Sequence, residues 1–389
     1  MKKTALVLSG GGSRGAYEIG VWKALKELNV NIDMVMGTSV GSINGALMAQ
    51  GNLGLAEDLW RRLETDMVFD VEDQEYTFKE TLDKITLGGM TADEALGYAR
   101  EIFAHGGAGT SGLEAMLEEY LDEDIIRASS VDYGLATTEF PSMEGVFMYI
   151  DDIPHGQLKD YILASASCFP AVRKFAIGDK QYIDGGYRDN LPVEMALNRG
   201  ASSIIAVDLQ AAGIVRKSTL DVARKVCDEF HLLKSPVELG NFLIFDKVNS
   251  DRIMTLGYLD TMRHFGKYDG YRYTFEAGEF NSHQLIGADS AAFILKLDPC
   301  RIYSEAALME ALKSAISSYD IPAGHVKGYF KGSLKDSPGN AKLRAHLLLY
   351  IAVSLKEEEE KSMFMQPALF KALREDVQAA NFLVMRGLV

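Results

Sequence analysis

Two short apolar runs near the start of the chain each stop at a glycine-rich turn and lead into a helical pattern. The first run, TALVLS (4–9), meets the glycines of SGGGSRG, after which apolar residues recur at helical spacing. The second run, DMVMG (33–37), is followed by the helix-like stretch SINGALMAQ. Short apolar runs bounded by turns are typical of buried strands. Strand, helix, strand and helix in close succession therefore predict an α/β fold with a parallel sheet and right-handed crossovers.

The rest of the chain divides into a part that contains strands and a part that is mainly helical. Five further runs are predicted as strands, and the last of them stands apart from the others: they are DYGLATTEF, GVFMYI, QYID (181–184), SSIIAVDL (202–209) and FLIF (242–245). The final hundred or so residues repeat apolar side chains at helical spacing. We therefore predict a catalytic α/β domain over residues 1–215, or up to about residue 270, and a mainly helical region over 271–389.

The charge of the chain limits its partners. The formal net charge of −15 disfavours nucleic acid and adsorption to anionic membranes. No run approaches the roughly 18 consecutive apolar residues of a membrane-spanning helix, so membrane contact is expected to be peripheral at most. The sequence does not indicate an oligomeric state.

The cysteines bear on location and metal binding. Cys168, Cys227 and Cys300 lie far apart and form no C-x-x-C pair, which predicts a reducing compartment and no zinc site. The apolar run after Lys2 and Lys3 is shorter than that of a signal peptide, so we expect a cytoplasmic protein. No D-x-D-x-D-G calcium pattern occurs, and neither a metal nor a cofactor is expected.

The first glycine-rich turn has the features of an anion-binding loop. Gly10, Gly11, Gly12 and Gly15 lie between a strand and a helix, where backbone N–H groups approach an anion closely. The same glycines satisfy G-x-G-x-x-G, so a dinucleotide-binding oxidoreductase is an alternative. That alternative requires an acidic residue at the tip of the next strand, and Asp33 is at the wrong end of it.

The second turn, Gly37-Thr38-Ser39-Val40-Gly41, matches G-x-S-x-G. Between a buried strand and a helix this pattern is typical of a nucleophile elbow, in which the flanking glycines allow the backbone to expose the serine hydroxyl. A tight turn with a capping serine is the structural alternative. Gly11-Gly12-Ser13-Arg14-Gly15 matches the same pattern, so spacing does not choose between Ser13 and Ser39.

A third stretch, YIDGGYRDNLPV, offers a base for such a serine. Asp184 ends a predicted strand and is followed by Gly185 and Gly186, although an Asp-Gly turn without catalytic meaning explains the dipeptide equally well. A histidine is the usual base, and His105 or His155 remains an alternative if folding brings it to the serine. A partly desolvated carboxylate in contact with the serine also serves, because burial raises its proton affinity.

In this order, SGGGSRG, GTSVG, LASASCFPAV (163–172) and DGG resemble the patatin-like phospholipase family over about residues 4 to 210. The resemblance implies a three-layer α/β/α fold and a Ser–Asp dyad without histidine. It assigns Ser39 as the nucleophile and Asp184 as its base, and it places the amides of Gly11 and Gly12 in the oxyanion hole with Arg14 alongside.

Two positions depart from the family pattern. Leu163 stands where many members have arginine, and Cys168 precedes Phe169-Pro170, so we expect an altered pocket wall. The predicted reaction is hydrolysis of lipid or phospholipid esters through an acyl-serine. A general carboxylesterase or thioesterase, and an inert binding protein on the same fold, are the remaining alternatives.

Overall fold

The computed structural model describes residues 2–70, 108–319, 341–356, 364 and 367–389. The chain forms two compact units and divides between Thr261 and Met262. Whether these units correspond to the predicted catalytic and C-terminal domains stays a prediction.

The first unit is built on an eight-stranded sheet. Its strands are β1 (Thr4–Leu8), β2 (Met34–Thr38), β3 (Asp132–Phe140), β4 (Glu144–Tyr149), β5 (Phe175–Ile177), β6 (Lys180–Asp184), β7 (Ser203–Val207) and β8 (Glu229–Leu233). Strands β8, β7, β1, β2 and β3 pair in parallel, whereas β4 and β6 pair antiparallel to β3, and β5 antiparallel to β6. The central sheet is therefore mixed and mostly parallel.

Helices cover both faces of this sheet. They are α1 (Ala16–Glu27), α2 (Val40–Gln50), α3 (Leu53–Arg62), α4 (Thr65–Val68), α5 (Ser111–Tyr120), α6 (Glu123–Ala128), α7 (Leu158–Ser165), α8 (Val193–Asn198), α9 (Lys217–Val226) and α10 (Lys247–His264), which contains the end of the unit. On one face, side chains of β1 and β2 pack with α8 and α9; on the other, Tyr133 and Leu135 of β3 pack with α2, α5 and α7. The predicted α/β fold and its layered core are confirmed.

Strand β3 is the longest of the sheet, and two other strands share one of its edges. Residues 132–136 of β3 pair with β2, and residues 137–140 pair with β6, while β4 covers 134–139 from the opposite edge. Because β2 is parallel to β3 and β6 is antiparallel, their C-terminal ends meet tip to tip. Thr38 lies opposite Ala136, and Asp184 lies opposite the next residue, Thr137.

One strand prediction is wrong, and two strands of the sheet, β5 and β8, are not among the predicted ones. The run FLIF (242–245) is not a strand: it packs beside Phe69 and lines the cavity described below, which accounts for its apolar side chains. Strand β8 was not predicted, because it lies at the edge of the sheet and all but Leu233 of its side chains are only partly buried or exposed. A half-buried edge strand lacks the continuous apolar run that marks β7.

The second unit is mainly helical. Its helices are α11 (Ser282–Ile294), α12 (Glu305–Ser317), α13 (Ala341–Lys356), α14 (Pro367–Ala372) and α15 (Arg374–Met385), and a short parallel pair is formed by β9 (Thr274–Phe275) and β10 (Ile302–Tyr303). The helices share one apolar core, which includes Ala291, Leu312, Leu348 and Phe382. The C-terminal helices predicted from apolar spacing are present. Among the described residues of either unit, none of the helices combines the length and apolarity needed to cross a membrane.

Candidate active site

Ser39 lies in a strained turn between β2 and α2. Its backbone has φ 54° and ψ −127°, a conformation that residues with a side chain rarely adopt. A Cβ at Gly37 would lie 2.1 Å from the carbonyl oxygen of Gly41, and a Cβ at Gly41 would lie 2.6 Å from that of Leu8. Both flanking glycines are therefore required by backbone contacts, as the nucleophile-elbow interpretation predicts.

Hydrogen bonds hold this turn in place. The Ser39 N–H donates to Oγ of Ser165 at 2.8 Å, and the Ser165 hydroxyl in turn donates to the carbonyl of Ala136 at 2.7 Å. The Thr38 hydroxyl donates to the carbonyl of Asp189 at 2.9 Å. These buried bonds offset part of the backbone strain, of the order of 1–3 kcal/mol, that a left-handed serine carries. Ser165, within the stretch LASASCFPAV, thus supports the elbow.

Asp184 is the last residue of β6 and meets Ser39 directly. Its carboxyl group accepts the N–H of Gly186 at 2.8 Å, and it lies close enough to the Ser39 hydroxyl for that group to lower its pKa. Burial raises the pKa of Asp184 to about 6, and the Ser39 hydroxyl and the Gly186 N–H oppose that rise. A Cβ at Gly185 would lie 2.2 Å from the carbonyl of Ala136, so only glycine fits after this aspartate.

The predicted histidine alternatives are not at this site in the part of the chain that the structure describes. His155 is exposed and bonded to Asp124, 2.8 Å away. His105 lies outside the described residues. No histidine occurs among the described residues that line the cavity beside Ser39.

The first glycine-rich turn faces the same cavity. Gly10, Gly11 and Gly12 line it together with Ser39 and Asp184. The Gly10 N–H donates to the carbonyl of a neighbouring loop residue at 3.1 Å, so it is engaged. Within the described part of the chain, no acceptor is recorded for the N–H groups of Gly11 and Gly12. These two amides are the ones that remain for an anion.

Arg14 does not line the cavity. Its guanidinium donates to three backbone carbonyls, those of Leu209 (3.1 Å), Gln210 (2.7 Å) and Gly240 (2.9 Å). These contacts hold two loops beside the glycine turn. Gly15 allows close packing instead: a Cβ there would lie 2.5 Å from Val40.

The cavity has a volume of about 470 Å³, within the range of small-molecule binding sites. Its apolar side chains come mainly from residues 40–47, 59–69, 113–121 and 242–245. None of the described lining residues is lysine or arginine. Such a cavity is suited to an uncharged, apolar part of a ligand.

The two residues that depart from the family pattern, Leu163 and Cys168, lie in different parts of the first unit. Leu163 is buried in the apolar core between the sheet and its helices. Cys168 lines the cavity, and burial together with the nearby charge of Asp184 raises the pKa of its thiol to about 12. Cys168 is therefore a neutral, apolar part of the cavity wall at neutral pH.

Asn190 is a site residue to which the sequence assigned no role. Its Nδ2 donates to the carbonyl of Gly10 at 3.2 Å, and its own carbonyl accepts the Gly10 N–H. A Cβ at Gly10, Gly186 or Gly213 would lie within 3 Å of the Asn190 side chain. Three glycines thus make room for one amide, which joins the first glycine-rich turn to the Asp184 turn. In the sequence, Asn190 belongs to the Asn-x-Pro part of YIDGGYRDNLPV, which resembles the family pattern, and the glycines around it lie up to 203 positions apart.

A second buried network fixes one wall of the cavity. The Trp60 indole N–H donates to Oδ1 of Asn44 at 2.9 Å, and Nδ2 of Asn44 donates to Oε2 of Glu18 at 2.8 Å. Burial raises the pKa of Glu18 well above its ordinary value, although the Asn44 bond and a backbone bond from Ser9 oppose this. The network holds the Trp60 ring, which lines the cavity.

Comparison with known proteins finds similarity to patatin-like phospholipases and to a lysophospholipase. A family model described as Patatin-like phospholipase matches residues 6–197. The chain is 26% identical over 211 residues to patatin-like phospholipase domain-containing protein 7 of Rattus norvegicus, a match that covers 53% of this chain and 13% of the relative. It is 30% identical over 214 residues to lysophospholipase nte1 of Aspergillus niger, covering 54% of this chain and 12% of the relative. The chain thus spans about an eighth of the length of these relatives. The crystal structure of VipD from Legionella pneumophila aligns with a TM-score of 0.40 at 14% identity, covering 100% of this chain and 91% of VipD.

Proposed function

The chain belongs to the patatin-like phospholipase family through residues 6–197, and we propose that it hydrolyses carboxylic esters of lipids with Ser39 as nucleophile and Asp184 as general base. The observation that carries the proposal is that Ser39 and the buried Asp184 line the same cavity and lie close enough for the serine hydroxyl to lower the pKa of the carboxyl group. A serine hydroxyl is a weak nucleophile at neutral pH and needs an adjacent base.

In the first step the Ser39 oxygen attacks the ester carbonyl carbon while Asp184 accepts the hydroxyl proton. The pKa of Asp184, about 6, keeps this group mostly ionised at neutral pH and yet more basic than an exposed aspartate. A general base is most effective when its pKa lies near the working pH. Burial of Asp184 therefore serves the reaction.

The negative oxygen formed by this attack requires hydrogen-bond donors. Gly11 and Gly12 line the cavity together with Ser39, and their N–H groups lack an acceptor in the described part of the chain. One well-placed donor of this kind contributes roughly 3–4 kcal/mol to transition-state stability. Arg14 contributes by holding the loops around these amides, through its bonds to backbone carbonyls.

The intermediate collapses when the carbonyl re-forms and the bond to the alcohol breaks. The protonated Asp184 donates its proton to the departing alcohol oxygen, which leaves Ser39 acylated. In the second half of the reaction Asp184 takes a proton from water, the resulting hydroxide attacks the acyl carbon, and Ser39 recovers its proton as the fatty acid leaves.

The lining of the cavity favours an apolar acyl group. The absence of lysine and arginine from its described lining residues and the charge of Asp184 both disfavour a pyrophosphate, and hence the dinucleotide alternative. Lysophospholipids and phospholipids are the substrates that the family suggests. A general carboxylesterase or thioesterase is the second candidate, because an apolar cavity also accepts fatty esters and thioesters without a phosphate group.

Covalent labelling with a fluorophosphonate tests the proposal. The probe should modify a single residue, Ser39, identified by mass spectrometry of the digested protein, and Ser39→Ala should remain unlabelled. Asp184→Asn should label much more slowly while remaining folded. Labelling of Ser13, or equal labelling of Ser39→Ala, would contradict the proposal.

Product analysis then separates the two candidates. Release of fatty acid from phosphatidylcholine or lysophosphatidylcholine, lost in Ser39→Ala, is expected of a phospholipase. Hydrolysis confined to soluble esters or thioesters would instead support the second candidate.

A further inference from the structure

Two helices of the first unit line the cavity with several residues each. Helix α2 contributes Val40, Ile43 and Leu47, which are spaced three and four residues apart. Helix α5 contributes Leu113, Met116, Leu117 and Tyr120 with the same kind of spacing. Residues at this spacing lie along one face of a helix. Each helix therefore presents about two turns of its length to the cavity.

The two helices define a near end and a far end. Helix α2 begins immediately after Ser39, so successive residues lie farther from the nucleophile. The Gln50 side chain donates to the carbonyl of Tyr120 at 3.1 Å and accepts the N–H of Asp122 at 2.9 Å, which places the end of α5 beside the end of α2. Leu47, Tyr120 and Leu121 therefore form the far end.

The near end is identified by the beginning of α5. Leu113 and Met116 pack in one apolar cluster with Cys168 and Val172. The Asp184 N–H donates to the carbonyl of Ser167 at 2.8 Å, next to Cys168, so this cluster lies beside the Ser39–Asp184 pair. Both helices thus run away from the reacting atoms in the same direction.

We propose that α2 and α5 form an acyl ruler, in which Leu47 and Tyr120 set the length of the fatty acyl chain that Ser39 accepts. This inference rests on the proposed function. From Ser39 to Leu47 the helix rises about 12 Å at about 1.5 Å per residue. An extended chain of single bonds advances about 1.2 Å per bond, so about ten carbons span this distance. The substrates are esters of medium-chain or longer fatty acids.

The physical basis is burial of methylene groups along the two helix faces. Each methylene that enters an apolar site strengthens binding about fourfold, provided that room remains for it. With p-nitrophenyl esters of four to sixteen carbons, kcat/KM should rise with each pair of carbons up to about ten or twelve and then level off.

Leu47→Trp tests the ruler because it fills the far end of the cavity. The ratio of kcat/KM for the twelve-carbon ester to that for the four-carbon ester should fall at least about tenfold, since the lost methylene contacts are distal. Tyr120→Ala enlarges the same end and should move the preferred length toward fourteen or sixteen carbons. Met48→Leu is the matched control, because Met48 is buried in α2 and does not line the cavity.

The outcomes separate the ruler from the proposed function. Equal loss for all chain lengths in Leu47→Trp, with no shift in Tyr120→Ala, would overturn the ruler and leave Ser39-dependent hydrolysis in place. No Ser39-dependent hydrolysis of any ester by the wild-type protein would overturn the proposed function and the ruler with it. A shift of the preferred length in opposite directions by the two variants would establish the ruler.

Discussion

The two turns that match G-x-S-x-G follow neighbouring parallel strands and yet present their serines differently. In the second turn the left-handed residue is Ser39 itself, with φ 54°. In the first turn it is Gly12, with φ 53°, and Ser13 follows in a 3₁₀ turn. The Ser13 hydroxyl is buried and donates to the carbonyl of Asn241 at 2.9 Å. The position of the strained residue, and not the sequence pattern, decides which hydroxyl reaches the cavity.

The largest expected difference between the two turns is the effect of removing each hydroxyl. Ser39→Ala should lower kcat/KM for a p-nitrophenyl ester at least about 1,000-fold, because the nucleophile is lost. Ser13→Ala should keep activity within about threefold and lower the free energy of unfolding by about 1 kcal/mol, for the lost hydrogen bond. Initial rates and urea unfolding measure the two effects. Equal losses of activity in both variants would remove the distinction between the turns.

A methyl group added at Gly37, two residues before Ser39, should have the next largest effect on activity. In Gly37→Ala the new Cβ would lie 2.1 Å from the carbonyl oxygen of Gly41, and this backbone contact cannot be relieved by a side-chain rotation. We expect about 100-fold lower kcat/KM and a lower melting temperature, as when a strained catalytic turn is displaced.

Gly54→Ala provides the control for this prediction. Gly54 lies in α3, and a Cβ there would come no closer than 3.8 Å to another atom. Alanine is the better helix former, so the melting temperature should stay the same or rise while activity is retained. Wild-type activity in Gly37→Ala would show that the turn does not depend on its glycine.

Asn190 joins the first glycine-rich turn to the Asp184 turn, so its replacement tests whether these two turns act together. Asn190→Asp removes the Nδ2 donor to the Gly10 carbonyl and should lower kcat about ten- to thirtyfold, with KM changed less than threefold, because a positioning contact serves the transition state. Steady-state kinetics separate the two constants. Asn52→Asp is the matched control, since Asn52 is an exposed helix N-cap, where aspartate is equally suitable. A rise in KM alone would indicate a role in substrate binding instead.

The pH dependence of kcat/KM should show a smaller, graded effect. It arises from Asp184, which is the partner of Ser39 and not of Ser13. Burial raises the pKa of Asp184 to about 6, and only the ionised carboxylate accepts a proton. The value of kcat/KM should therefore fall as pH decreases below about 6, approaching tenfold per unit, and level off above about pH 7. The rate profile from pH 4.5 to 8.5 measures this. A midpoint near 4 would mean that Asp184 is not the base or is not desolvated.

The parts of the site that were predicted from the sequence are those whose residues lie together in a single turn. Gly37, Ser39 and Gly41 form one elbow, and Asp184 with its two glycines forms another turn, so their patterns are readable locally. The choice of Asp184 as partner for Ser39 came from the family resemblance and from the shortage of suitably placed histidines. The fold class followed from the alternation of apolar runs and helices, because burial of a parallel sheet imposes that pattern.

The parts that were not predictable depend on packing between distant segments. The resemblance placed Arg14 alongside the oxyanion site, but it gave no sign that the guanidinium bonds to the carbonyls of Leu209, Gln210 and Gly240. Asn190 reaches Gly10 across 180 positions. The lining of the cavity comes from segments as far apart as α2 and residues 242–245. No local pattern records such contacts.

The long strand β3 has a consequence for how this protein tolerates change in length. Because β2 and β6 meet end to end along one edge of β3, Ser39 and Asp184 approach each other from opposite directions along the same strand. Deleting one residue inside β3, between the segments that bind these two strands, would shift one partner by about 3.3 Å and turn the pleat over. Such a deletion would leave every recognisable motif intact and would still move Ser39 and Asp184 apart. Natural insertions and deletions should therefore gather in the connections around β3 and avoid its centre.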